Sequence, residues 1–319
     1  MNYFRLILFL ILTATIAQAQ SQNLRAATAS SYMERGNKWF AKGEYDRAIA
    51  DFGLAIASDP NGAGAYYNRA TARYRTGDYD NALADFNRVL QLDPRMVKAW
   101  VDRAGLHYLK SDWDGAISDC TRAIELAPRL ALAWGNRGTA RMEKKDLAGA
   151  LADFDRALKL DSKLAQTWSD RGVAKYQMGN LPGANADHTQ AIKLRPDFAE
   201  AYVDRGMARH ANGDVDGALA DYRRSIELKP ALHITYFNRA LIWRERGNWT
   251  SAIADYDQVI ALNPHFADAH CNRGLVRVRQ GDEAGAQRDF QQCLTMEPNF
   301  KASLEQLINT ERAKMSTNK

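Results

Sequence analysis

The chain has 319 residues, with 43 lysines and arginines against 38 acids and a formal charge of +5. Its 46% hydrophobic and 25% charged content excludes a disordered tract, and the small surplus of mixed positive charge excludes a nucleic-acid binder. Three cysteines at unrelated spacings exclude a disulfide framework.

Residues 1–19 read as a cleavable export signal. Arg5 precedes an apolar stretch from Leu6 to Ile16, and Ala17, Gln18 and Ala19 fit a small-x-small cleavage pattern. The apolar run is shorter than the roughly 20 residues a membrane span needs. The mature chain is therefore expected to begin at Gln20, with no stable membrane span, in the periplasm or the external medium. Residues 20–28 form a short lead-in.

From Ala29 to Phe300 the sequence repeats eight times at a spacing of 34 residues: 29–62, 63–96, 97–130, 131–164, 165–198, 199–232, 233–266 and 267–300. A period in this range means stacked supersecondary units and one continuous repeat domain. Each repeat carries a small residue (Gly36, Ala70, Ala104, Gly138, Gly172, Gly206, Ala240, Gly274), and twelve positions later an alanine, from Ala48 to Ala286. Four positions further stands a filling side chain: Phe52, Phe86, Cys120, Phe154, His188, Tyr222, Tyr256 or Phe290. These spacings predict two antiparallel helices in close approach with a wedge beside the contact. Glycines such as Gly77 and Gly213 should end each first helix, an Asp or Asn should start the second, and prolines such as Pro94 should stop it. Ser111 and Lys145 replace the glycine in repeats three and four, and Ser162 replaces the proline in repeat four.

Tyr66, Ala70, Gly77, Tyr79, Ala82, Phe86 and Pro94, with Trp134, Gly138, Ala150, Phe154 and Ala157, resemble the tetratricopeptide repeat pattern. The resemblance covers residues 29–300. It implies an all-α, right-handed superhelical solenoid of paired helices whose inner face binds a peptide or partner protein.

Arginine precedes every small residue (Arg35, Arg69, Arg103, Arg137, Arg171, Arg205, Arg239, Arg273), where the family more often has leucine. Aspartate follows sixteen positions later each time, from Asp51 to Asp289. Equal numbers in fixed register predict an arginine–aspartate ladder, favoured over an anion-binding stripe.

One position before each arginine, after the first repeat, lies a short polar residue: Asn68, Asp102, Asn136, Asp170, Asp204, Asn238 and Asn272. The resemblance places this position on the concave surface, where an amide can both donate to and accept from an extended peptide backbone. The three aspartates favour amide or cationic ligand groups. Tyr74, Tyr108 and Tyr176 share one helix position with Phe40, while Tyr67 and Phe237 share another; they either line the groove or pack between first helices. The carboxylate clamp of some family members is not expected. Asn37, Asn68 and Lys98 match it, but Met33 and Asp102 replace two of its cations.

Cys120, Cys271 and Cys293 read as buried small hydrophobes rather than as a bridge, although Cys271 and Cys293 share a repeat and an exported chain could oxidise them. Scattered histidines and the absence of nucleophile, phosphate-loop or metal-ligand motifs point away from an enzyme, a cofactor, a metal or a small-molecule substrate. Residues 301–315, with Leu304, Leu307 and Ile308 on one face, should cap the stack, leaving 316–319 as a tail. The favoured function is a non-enzymatic envelope scaffold or adaptor that holds a peptide or protein. The alternative is an assembly component of an envelope, secretion or surface-polymer machine that uses its outer face.

Overall fold

A computed structural model describes residues 2–316, with side chains described from Gln22 to Lys314 and at Gln18 and Gln20. The segment expected to be cleaved therefore falls almost wholly outside the described side chains. The backbone of α1 runs from Asn2 to Ala41. Among the described residues there is no strand, and no helix is long and apolar enough to cross a membrane.

Two compact units divide between Leu160 and Asp161. The first contains α1, α2 (Tyr45–Ser58), α3 (Ala63–Thr76), α4 (Tyr79–Leu92), α5 (Val97–Leu109), α6 (Trp113–Leu126), α7 (Ala131–Glu143) and α8 (Leu147–Leu160). The second contains α9 (Ala165–Gln177), α10 (Leu181–Leu194), α11 (Ala199–Ala211), α12 (Val215–Leu228), α13 (His233–Glu245), α14 (Trp249–Leu262), α15 (Ala267–Gln280), α16 (Glu283–Met296) and α17 (Lys301–Ser316). Within each unit successive helices pair as antiparallel hairpins, and each hairpin packs on the next. The last helix, α17, packs on α15 as a cap, with Leu304 buried beside Leu275 and Phe290.

The punctuation works as the residue types dictate. Asp78, Asp112, Asn180, Asp214, Asn248 and Asp282 each accept a hydrogen bond from the backbone amide three residues on, which opens the second helix of the pair. Gly77 closes α3 at φ 81°, in the left-handed region. Ser111 (φ 57°) and Lys145 (φ 66°) adopt the same region without glycine, so the turn geometry is imposed by the two helices it joins. Where Ser162 replaces proline, Asp161 still accepts from the Lys163 amide, as Asp59 does from Asn61 and Asp93 from Arg95.

The core consists of the small contacts and their wedges. None of the eight repeat alanines from Ala48 to Ala286 is more than 2% exposed. A Cβ placed on Gly138 would lie 2.7 Å from the Phe154 ring, and one on Gly206 would lie 2.6 Å from Tyr222. At Gly138 and Gly206 the close approach of a ring, rather than backbone conformation, favours glycine, while repeats two and seven fit Ala70 beside Phe86 and Ala240 beside Tyr256.

All eight arginine–aspartate pairs form, each within its own repeat. Arginine Nε donates to one carboxylate oxygen at 2.7–3.0 Å and Nη2 to the other at 2.6–2.8 Å. Every one of these aspartates is buried. Seven of these arginines, all but Arg273, also lie over the aromatic ring three residues earlier, as Arg103 does over Trp100 (4.8 Å) and Arg137 over Trp134 (4.7 Å). Indole nitrogens of Trp100, Trp134 and Trp168 donate in turn to the carbonyls of Pro94, Pro128 and Ser162. Each ladder rung thus ties a first helix to its own second helix, and at Trp100, Trp134 and Trp168 also to the turn before it.

The cysteine reading needs correction. Cys271 and Cys293 form a disulfide, with Cα atoms 5.5 Å apart, while Cys120 is free and buried. The two residues face each other across the close contact of α15 and α16, where small side chains bring the backbones within disulfide range. Sequence separation alone could not reveal that proximity.

Candidate functional site

The predicted groove residues all lie on first helices, but they separate into three environments. In the first unit, Tyr67, Tyr74, Asp102 and Asn136 line one open recess of about 350 Å³, together with Lys98 and Leu132. The Tyr67 hydroxyl donates to Asp102 Oδ2 at 2.5 Å, and its ring meets Phe86 edge-on at 5.8 Å. Lys98 Nζ lies 5.1 Å from the centre of the Tyr67 ring. Burial raises the Asp102 carboxyl above the usual range, against the lowering effects of the Tyr67 hydrogen bond and the Lys98 charge. Burial and the Asp102 contact raise the Tyr67 hydroxyl.

In the second unit, Tyr176 and Asp204 line a recess of about 180 Å³ with Val173, Gln177, His188 and Met207. Burial first, then the charges of Asp170 and Glu200, push the Asp204 carboxyl up to about 7. Burial lowers His188 to about 4, so its imidazole is neutral at physiological pH, and Nδ1 lies 3.4 Å from the Ser169 hydroxyl.

The remaining predicted residues make local contacts. Asn68 donates to Asn37 at 2.8 Å. Asp170 accepts from Gln166 at 2.9 Å. Asn272 accepts from Arg244 and donates to the Asp268 carbonyl. The buried Nδ2 of Asn238 has no hydrogen-bond partner among the described residues. Phe237 packs between Tyr256 and Phe266, at 5.9 and 5.0 Å, and belongs to the core of its repeat. Tyr108 meets Trp113 edge-on at 5.0 Å, as Phe40 meets Tyr45, and Tyr74 meets Tyr79 in a tilted contact. That helix position therefore covers the turn between paired helices, and at Tyr74 and Tyr176 it also borders a recess.

A second cation on the ladder escaped the sequence reading. Arg73, Arg141, Arg209 and Arg277 each donate Nη1 to the ladder aspartate of their repeat at 2.6–2.9 Å, and Lys175 pairs with Asp187 at 2.8 Å. These residues follow the ladder arginine by four positions. That fixed offset was the available signal, since one helical turn places both on the same face.

Family comparison agrees with this architecture. A tetratricopeptide repeat profile matches residues 34–96, 67–131, 110–165 and 169–233, together well over half of the chain. The chain belongs to the tetratricopeptide repeat family. Two further profiles of the family extend the match to residues 241–281 and 267–300. No match is found among curated proteins. Among solved structures, the tetratricopeptide chain is similar to one described as the APC/C hetero-tetramer Cut9-Hcn1, with a TM-score of 0.66 and 15% identity over 87% of this chain and 54% of that one. It is also similar to Pseudomonas aeruginosa pilF, with a TM-score of 0.59 and 17% identity over 69% of this chain and 99% of that one. At these identities the likeness is one of fold. Tetratricopeptide repeats mediate protein–protein contact, which is the coarse role this chain inherits.

Proposed function

We propose that this protein is an exported, non-enzymatic scaffold of the cell envelope that holds an extended segment of a partner protein along its first helices. The observation that carries the reading is the pair of recesses at corresponding positions of the two units, each lined by a tyrosine, apolar side chains and a carboxylate. An extended chain laid across the first helices of a unit can insert a side chain into that unit's recess and meet an amide, that of Asn136 in the first unit or Asn238 in the second. The envelope setting is supported by the charged, apolar and small-residue order of residues 1–19.

Photo-crosslinking in cells tests this reading. A photoreactive residue at Asn136 or Tyr176 should yield a defined protein adduct, whereas one at exposed Gln91 on α4 should not. Adducts from Gln91 alone would overturn the groove reading in favour of an assembly component using its outer face.

A further inference from the structure

The two recesses are built on the same repeat register, three repeats apart, and their differences point in one direction. Tyr74 corresponds to Tyr176, Phe86 to His188 and Asp102 to Asp204. The groups that satisfy Asp102 are missing around Asp204. Where Tyr67 donates its hydroxyl to Asp102, the second unit has Ser169, whose hydroxyl is engaged with His188. Where Lys98 stands beside Asp102, the second unit has Glu200; where Asn68 stands, it has Asp170; and where Arg75 borders the recess, it has Gln177.

Asp204 is consequently a half-buried carboxylate with no hydrogen bond or ion pair among the described residues. The ionisable groups around it are Asp170, Glu200, His188, Tyr176 and Tyr222. Glu200 is occupied by Lys229 at 2.6 Å, Arg205 is held by Asp221, and neutral His188 supplies no charge. Among the described residues, only the acids Asp170 and Glu200 act on the Asp204 carboxyl through their charge, and no cation does.

We propose that the Asp204 recess takes a cationic side chain, lysine or arginine, from the bound segment. An aliphatic stem would lie against Val173, Met207 and the Tyr176 ring, and the charged head would meet the Asp204 carboxylate. The first unit's recess, already supplied with Lys98 and Arg75, would reject the same residue. The free carboxyl, pushed up to about 7, is half protonated near neutrality; an arriving cation restores the ionised form. This inference rests on the groove reading, which it sharpens.

The test uses the full chain, with N-acetyl-lysine amide and N-acetyl-arginine amide as probes and N-acetyl-norleucine amide as the neutral control, at matched ionic strength. Binding is followed by the Met207 methyl NMR signal, and the titration of Asp204 by its carboxyl carbon. At a concentration about tenfold above its dissociation constant, a cation selective for the carboxylate should lower the apparent pKa of Asp204 by about one unit, and norleucine should leave it in place. Glu200→Lys, which copies Lys98, and Asp204→Asn should each weaken cation binding by about tenfold or more.

Equal responses to the cations and norleucine, or undiminished cation binding in both folded variants, would overturn the proposal. A difference between the lysine and arginine probes would identify which side chain the recess accepts. If groove adducts form in cells while the probes fail, only the recess assignment is wrong. If the probes bind but groove adducts are absent, the cation site stands and the extended-segment reading fails.

Discussion

Arg137 grips Asp153 through Nε and Nη2, both at 2.8 Å, while Arg141 reaches the same carboxylate at 2.8 Å. Asp153 is 2% exposed, so its charge is tolerated because three donors meet it. Asp153→Ala should therefore destabilise the chain by about 3–5 kcal/mol, by leaving two guanidinium groups without their shared acceptor. Arg35, whose side chain is 55% exposed, provides the contrast: water reaches its end of the pair with Asp51, so Arg35→Ala should cost clearly less than Asp153→Ala. Urea unfolding of both variants checks the ranking, and equal losses would contradict it.

A steric prediction follows from Gly138. Its substitution by alanine would put a methyl group 2.7 Å from the Phe154 ring and should cost about 1–3 kcal/mol. Repeat three already combines Ala104 with Cys120 at these two places. The losses of Gly138→Ala and Phe154→Cys should therefore be less than additive in the double variant. Thermal melts of the single and double variants measure the coupling, and additive losses would refute it.

The Cys271–Cys293 bridge closes a loop with a sequence separation of 22. Its reduction should remove about 3 kcal/mol from the last repeat, mainly by freeing the unfolded chain. Cys120 serves as an internal control, because burial pushes its thiol up to about 12. Alkylation followed by mass spectrometry should modify none of the three cysteines in the native oxidised protein, and Cys271 and Cys293 before Cys120 after mild reduction.

Asp204 makes stability depend on pH in an unusual direction for a carboxylate. Its ordinary value is 3.8 and its folded value about 7, so between these the folded chain keeps a proton that the unfolded chain releases. Stability from this group is complete below the ordinary value and is lost as the pH rises towards 7. Asp204→Asn should therefore exceed the parent in stability at pH 8 by on the order of 2–4 kcal/mol, with the difference vanishing near pH 4. Urea titrations at the two pH values decide it.

Most of the architecture was legible in the chain because each repeat states the same rule. The spacing from Gly138 to Ala150 to Phe154 marks a helix contact, and the spacing from Arg137 to Asp153 marks a rung; eight recurrences leave little room for another register. The lining of the two recesses was only partly legible. Asp102 and Asp204 occupy the same place in the repeat, yet Tyr67 answers one and no group among the described residues answers the other. Phe237 shares its position with Tyr67 and nevertheless packs inside its own repeat, because Phe266 and Tyr256 enclose it.

The amino-acid sequence by itself determined the helices, their pairing and the ladder, since these arise from short-range periodicity and from partners at fixed offsets within one repeat. Tertiary structure alone decided which carboxylates are satisfied, which aromatics reach a recess and which cysteines meet. Those outcomes depend on side chains brought together from neighbouring helices, and a single substitution there, such as Ser169 in place of a tyrosine or Glu200 in place of a lysine, changes the chemistry while leaving the repeat intact.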